Sequence, residues 1–259
     1  MTIDHLSYSS IRQYIDCGLQ YKFRKVDEIK PEFTSDNLVF GSSVHKALAK
    51  FNQYRAENKA VSAAELGDWF EEYWTGAVQN NGQIKYSGSN DYQSCLILGK
   101  SLLETFHNHN QNSDYQVLEI EKEFKLELEG FEYPIIGYID LLETDDAGNI
   151  LVTEYKTSSK AYSRTQIDLN EQVTLYDLAI QSLYPDKQII TKLDCLIKTK
   201  KPKFEQYYTH RDQDDHNRLL KVVKAVARGI KHQVFIPNTS GWKCGYCEYS
   251  GLCAEWLKS

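Results

Sequence analysis

"GYIDLLETDDAGNILVTEYKTSSK", residues 137–160, holds the decision about the fold. Two mostly apolar runs flank "TDDAGN", residues 144–149, whose Asp, Gly and Asn are turn formers, so the stretch predicts a β-hairpin. A hairpin symmetric about Ala147 sets Asp140 directly opposite Glu154. Side chains so opposed have Cβ atoms about 4.5–5.5 Å apart, and like charges at that distance destabilise unless something neutralises them. A hard divalent cation, magnesium or manganese, is the natural remedy. Period two puts Lys156 on the face of Glu154, where its ammonium could sit beside a metal-bound phosphate or water. The plain alternative is a solvated hairpin face, and a bulge or one-residue slip would separate the two acids.

Outward from the hairpin, the pattern is helices, then strands, then helices. "SYSSIRQYIDCGLQYKF" has hydroxyl caps followed by Ile11, Tyr14, Ile15 and Leu19 at helical spacing, which puts Cys17 on or near a first helix. A second helix follows Gly41, with Val44, Leu48 and Phe51 as its apolar stripe. Ser62 and Glu65 make a capping box for a third, and "YQSCLILGKSLLETFHNH" reads as a fourth. From Leu118 the period becomes two, with Leu118, Ile120, Phe124, Leu126 and Leu128 on one face. Strands are expected over about 116–129, 133–143 and 150–156, then a helix at "LNEQVTLYDLAIQSLY", two strands around "KLDCLIKTK" and "FEQYYTH", and a long helix from Asp214 to His232. The expected fold is α/β, with a mixed central sheet flanked by helices. Residues 1–259 are expected to form one domain, with a helical region over 1–115, a sheet core over 116–210, and a final helix and cysteine segment over 211–259.

The net charge of -6 excludes a protein that is basic all over, so any contact with nucleic acid must come from a local patch. "KTKKPK", Lys198 to Lys203, is the candidate for gripping phosphates, although basic loops are commonly only solvated. The N-terminus "MTIDHLSYSS" has no basic or apolar signal region and no apolar run approaches a membrane span, which predicts a cytoplasmic protein without membrane contact. Six cysteines in a long chain without a secretion signal fit a reducing compartment better than disulfides, and Cys95 and Cys195 lie inside apolar segments as packed thiols.

"GYID", then "EYK" at the end of the next strand, then a helix bearing "QVTLY" resemble the PD-(D/E)XK nuclease superfamily, and specifically its RecB-like branch. That branch orders Asp, then Asp/Glu-x-Lys, then Gln-x-x-x-Tyr, after an upstream Gly-x-x-x-His, which "GSSVH" supplies as Gly41 and His45. The resemblance implies a restriction-endonuclease-like core. It makes His45, Asp140, Glu154 and the backbone carbonyl of Tyr155 ligands of magnesium or manganese. Asp140, Glu154, Lys156, Gln172 and Tyr176 become the catalytic set, with a packing role as the alternative for Tyr176.

"CGYCEYSGLC" spaces Cys244, Cys247 and Cys253 as C-x2-C-x5-C and needs a fourth ligand. The same branch places that ligand far upstream, which nominates Cys17. Four thiolates suit either structural zinc or an iron-sulfur cluster. RecB-like nucleases with one N-terminal and three C-terminal cysteines, CRISPR-associated exonucleases among them, carry a four-iron four-sulfur (4Fe-4S) cluster, and the resemblance implies one here. The chain departs from the pattern in three places: Gly18 where proline is common, Tyr138 in "GYID" where arginine is common, and Glu154 where aspartate is common.

The activity implied is metal-dependent hydrolysis of DNA phosphodiesters from single-stranded ends, 5′ to 3′ favoured, in repair, recombination, phage DNA processing or CRISPR adaptation. No Gly-x-x-x-x-Gly-Lys-Ser/Thr loop occurs, so unwinding would come from a helicase or other recombination or CRISPR partner. The competing readings are an endonuclease, or a DNA-binding or scaffold subunit stapled by zinc or a cluster.

Overall fold

The computed structural model describes residues 3–110, 113–239 and 241–258. Its helices and strands begin with α1 (Tyr8–Asp16), α2 (Gly18–Tyr21), a π turn (Lys22–Val26), β1 (Thr34–Ser35), α3 (Asp36–Ala56), α4 (Ala63–Asn80), β2 (Ile84–Lys85) and α5 (Tyr92–Asn110). There follow β3 (Gln116–Leu126), β4 (Ile135–Thr144), β5 (Ile150–Ser158), α6 (Arg164–Asp168), α7 (Glu171–Leu183), β6 (Ile189–Ile197), β7 (Lys203–Thr209) and α8 (Gln213–Lys231). A 3-10 turn (Trp242–Tyr246) and α9 (Ser250–Trp256) complete the order.

The α/β class is as expected: five strands in the order β3-β4-β5-β6-β7 form a mixed sheet flanked by helices, a restriction-endonuclease-like core. β4–β5 and β6–β7 are antiparallel, whereas β5 and β6 run parallel through the α6–α7 crossover. The caps are legible in the sequence. Ser62 and Glu65 close the capping box of α4, Ser35 caps α3, and the Asn170 side chain accepts from the N–H groups of Gln172 and Val173 at the start of α7.

β3 departs from its expected register. Leu118, expected on the face of Phe124 and Leu126, is 42% exposed while those two are buried. Glu121 has φ 48 in mid-strand, a left-handed residue that shifts the pleat by one and sends the preceding side chains to the other face.

Two compact units partition the chain. The first comprises residues 35–123 and 138–212. In it α3, α4 and α5 cover one sheet face with Val44, Leu48, Phe51, Phe70, Trp74 and Phe106, against Leu141, Tyr155, Leu196 and Phe204. Phe106 touches the rings of Phe51, Tyr155 and Phe204 edge-on at 5.6, 5.8 and 5.2 Å. Truncating such a residue to alanine costs about 3–5 kcal/mol. On the opposite face Ile167 and Val173 of α6 and α7 pack on Leu193, Cys195 and Ile197 of β6.

The second unit takes in the N-terminal helices, the turn between β3 and β4 with its flanks, α8 and the C-terminal segment. Leu6 bridges to Ile135, Arg24 pairs with Glu248, and the Glu32 N–H donates to the Glu248 carbonyl at 3.1 Å. Among the described residues no helix is long and apolar enough to cross a membrane.

Candidate active site

The hairpin has the register read from its turn. Leu141 faces Thr153, Leu142 faces Val152, Glu143 faces Leu151 and Thr144 faces Ile150. The turn is tied by the Asp145 carboxylate, which accepts from the Asn149 N–H at 2.9 Å, and by Gly148, whose φ of 78 suits glycine. One step beyond Leu141 and Thr153 stand Asp140 and Glu154, where the ladder ends.

Both oxygens of Asp140 are engaged. Oδ1 lies 2.9 Å from His45 Nδ1 on α3, and Oδ2 accepts the Tyr155 N–H at 2.8 Å. Burial alone would raise the Asp140 pKa, but the hydrogen bond and charge of His45, with the Tyr155 N–H, bring it below the ordinary carboxylate value. The same contacts outweigh burial at His45 and raise its pKa.

Glu154 is 3% exposed. Burial and then the charge of Asp140 push its pKa up to about 7, against the pull of Lys156. Its Oε1 accepts from Lys156 Nζ at 2.6 Å and from Gln172 Nε2 at 2.8 Å, while Lys156 Nζ also donates to Gln172 Oε1 at 2.6 Å. The repulsion built into the register is thus met by Lys156 on one acid and His45 on the other.

Gln172 Nε2 also donates to Tyr176 Oη at 2.7 Å, and that hydroxyl donates to the Tyr138 carbonyl at 2.8 Å. Tyr176 is buried, so its place is behind the site, bracing α7 against β4. Gly41, one turn before His45, has room for a side chain, since a Cβ there would come no nearer than 3.6 Å to Thr157 Oγ1.

One participant was missed by sequence reading. Asn52, fully buried on α3 two turns after His45, donates through Nδ2 to the Tyr155 hydroxyl at 2.9 Å and accepts from Arg55 at 2.8 Å. Its spacing from His45 was the available signal. Arg55 continues to buried Glu143, which also meets buried Lys192, itself paired with Asp194. The sequence-nominated patch is divided: Lys198 Nζ donates to Asn37 Oδ1 at 2.7 Å and lies over the Phe40 ring, whereas Lys200, Lys201 and Lys203 are exposed.

Among the described residues no three His, Cys, Asp or Glu side chains are gathered closely enough to hold a metal ion as they stand. The donor chemistry nevertheless fits a hard divalent ion: an imidazole from the middle of α3 and two carboxylates from the middles of β4 and β5 come together here. Lys156 and His45 occupy the oxygens that such an ion would take.

In the second unit Cys17, Cys244, Cys247 and Cys253 line one cavity of about 220 Å³ with Leu19, Phe23 and Tyr249. Cys17 Sγ accepts the Asn238 N–H at 3.5 Å, and Cys247 Sγ accepts from Gln20 Nε2 at 3.9 Å. Burial raises the thiol pKa of Cys247 and of Cys253. The four thiols share one apolar pocket, and their donor chemistry suits a soft metal or a cluster, although as they stand they are not gathered closely enough to hold one. The Gly18 departure has a steric cause: a Cβ there would lie 2.8 Å from the Ile236 backbone nitrogen. Cys95 and Cys195 are buried elsewhere.

The chain is similar to "Gene 69 protein" of Mycobacterium phage D29, with 23% identity over 273 residues and 95% of each chain covered. Its fold is similar to the crystal structure of "Putative exonuclease" from Eubacterium rectale, with a TM-score of 0.53, 11% identity, and 88% of this chain and 79% of that one covered. The model of the PD-(D/E)XK nuclease superfamily matches residues 5–254, nearly the whole length. By that match, and with its Asp, Glu-x-Lys and Gln residues joined in one cluster, the chain belongs to the PD-(D/E)XK nuclease superfamily.

Proposed function

We propose that the protein is a DNA exonuclease of the RecB-like branch, one nuclease domain acting on single-stranded ends with 5′ to 3′ polarity. The observation that carries this reading is the continuous chain His45–Asp140–(Tyr155 N–H) and Glu154–Lys156–Gln172, in which every member of the expected set touches another. His45, Asp140, Glu154 and the Tyr155 carbonyl would hold magnesium or manganese. When bound, the ion supplies Lewis acidity and a water acidic enough to attack near neutral pH.

The protein's own groups do the rest. Glu154 must give up its proton before it can ligate, and Lys156 keeps it near that threshold. Lys156 then faces the charge that builds on the phosphorus oxygens and stabilises it. Gln172 hydrogen-bonds both the Lys156 ammonium and the Glu154 carboxylate, and Tyr176 anchors Gln172 to β4. Cys17, Cys244, Cys247 and Cys253 would hold a 4Fe-4S cluster that ties the N-terminal helices to the C-terminal segment. Phage DNA processing is the favoured setting among recombination, repair and CRISPR adaptation, in keeping with the phage relative, and a helicase is the expected partner.

The deciding experiment is a cleavage assay on end-labelled single strands with magnesium, manganese or EDTA. Metal-dependent shortening is expected in the wild type and none in Glu154→Ala. A wild type inert under every metal would leave a DNA-binding or scaffold subunit.

A further inference from the structure

The α8 helix is two-faced. Leu219, Val223, Val226 and Ile230 are buried, while Arg218, Lys221, Lys224, Arg228 and Lys231 are all exposed. From 218 to 232 the chain has five basic residues and no acid, although the whole protein has a net charge of -6. Arg218 is paired with Asp215 at 2.7 Å and Lys231 with Glu132 at 2.9 Å. No acid among the described residues pairs with Lys221, Lys224 or Arg228.

Cations in a last turn are commonly explained by the helix dipole, which they complement. That accounts for Arg228 and Lys231 but not for Lys221 and Lys224, which lie earlier on the same exposed side. The turn between β3 and β4 lies alongside. Gly130, Phe131 and Glu132 line a cavity of about 570 Å³ with Lys224, Arg228, Lys231 and His232. Gly130 takes φ 76, and the neighbouring Phe131 is only half-buried, so an aromatic ring lines a basic groove.

We infer that this groove, with Lys221 beside it on the same exposed side of α8, is a second nucleic-acid surface, one that holds single-stranded DNA by its phosphates on Lys221, Lys224 and Arg228 and by a base stacked on Phe131. The inference rests on the nuclease reading and adds a contact that the catalytic cluster does not contain. Cations along a row with an aromatic beside them match single strands, whose bases are free to stack. At 1.5 Å per residue the row from Lys221 to Lys231 spans about 15 Å, enough for about four phosphates of a stacked strand at 3.4 Å each. A membrane surface is disfavoured, because the exposed side of α8 between 218 and 232 has no large apolar side chain to insert. Glu132 is the single acid in the groove lining, and it tempers the attraction.

The test uses the full chain with Glu154→Ala, so that bound DNA stays intact, and fluorescence anisotropy of labelled oligothymidylate from low to high salt. Lys221→Gln, Lys224→Gln and Arg228→Gln together should weaken binding about ten-fold or more at moderate salt. They should also flatten the log-affinity against log-salt slope by about two, since each phosphate contact on a single strand contributes about 0.7. Phe131→Ala should cost about five-fold or more with the slope unchanged, and Glu132→Gln should tighten binding. The triple variant should still cleave a short chromogenic phosphodiester at the parent rate when Glu154 is restored. Unchanged affinity and slope in the triple variant would overturn the inference while leaving the nuclease reading untouched. Absence of binding by the Glu154→Ala parent, together with absence of cleavage by the wild type, would overturn the nuclease reading first. Loss of binding to phosphatidylserine vesicles without any effect on DNA would assign the stripe to a lipid surface and overturn the inference as well.

Discussion

The backbone N–H of Tyr155 donates to Oδ2 of Asp140 at 2.8 Å, just beyond Leu141 and Thr153, the last paired residues of the β4–β5 ladder. A main-chain donor that would otherwise extend the ladder holds a carboxylate instead. The Tyr155 side chain points the other way, into α3, where its ring meets His45 edge-on and its hydroxyl accepts from Asn52. One residue thus ties the strand bearing Glu154 to the helix bearing His45, and both oxygens of Asp140 are oriented from those two elements.

Tyr155→Phe removes that tie without changing the ring. The buried Asn52 amide then loses its acceptor, which costs about 1–3 kcal/mol. Urea melts should show that loss, and the magnesium concentration for half-maximal cleavage should rise several-fold because Asp140 and His45 are less well aligned. A variant with the parent melt and the parent magnesium titration would remove the hydroxyl from this role.

Glu154→Ala or Lys156→Ala should abolish turnover and keep most DNA affinity. Neither side chain contributes to the apolar clusters on the two sheet faces. Lys156→Ala has a further effect: without the ammonium, only the weaker pull of His45 opposes burial and the charge of Asp140 at Glu154, and the protonated form is favoured. Full magnesium-dependent activity in either variant would show that the reaction centre lies elsewhere.

The protonation of Glu154 gives a pH signature in the absence of metal. Its pKa in the folded chain is raised from the ordinary 4.5 to about 7, so the native state binds the proton more tightly than the unfolded chain does. Its contribution to stability is fully present below about pH 4.5 and is lost as pH rises through about 7. In EDTA, the melting temperature of the wild type minus that of Glu154→Gln should therefore fall between pH 5 and pH 8. Magnesium affinity should climb over the same interval, because only the ionised carboxylate ligates. A difference that stays flat with pH would place Glu154 in an ordinary, solvated setting.

What could be read in advance follows from how local each signal is. The opposition of Asp140 and Glu154 is set by six turn residues and a period of two, so register and acid pair come from neighbours along the chain. The capping box of Ser62 and Glu65 is local in the same way. Asn52 is different: its partner is the Tyr155 hydroxyl, 103 positions away, and its two-turn spacing from His45 sets a shared helix face without naming that partner. Glu143, Lys192 and Asp194 break otherwise apolar strands, and a lone charge in a strand does not name its partner. The pleat shift in β3 was hidden because it depends on a backbone angle at Glu121, a residue type that seldom takes it. The contacts of half-buried Lys198 with Asn37 and Phe40 are not legible in "KTKKPK", because both partners lie far away along the chain.

The four-cysteine pocket predicts colour. Protein purified without oxygen should be brown with about four irons per chain, and Cys244→Ser should bleach it and lower its melting temperature, since metal-binding free energy is also folding free energy. Cys95→Ser, at a buried thiol outside the pocket, should keep its iron. Stoichiometric zinc in colourless protein would replace the cluster with a structural zinc site.

Both termini of the chain contribute to the cysteine pocket, Cys17 from one and Cys253 from the other, so a metal held there would clip the N-terminal helices to the C-terminal segment. We propose that such a clip encloses the strand; an enclosed strand enters by its end more readily than by its middle, and phosphate contacts with stacked bases would tolerate any sequence. Labelled linear single strands should shorten progressively with magnesium or manganese, faster when the free end is 5′ than when it is 3′, while covalently closed circular strands survive much longer. Cys244→Ser, which loosens the clip, should narrow the gap between linear and circular substrates without moving the metal requirement. Equal rates on both substrates in the wild type would make the protein an endonuclease.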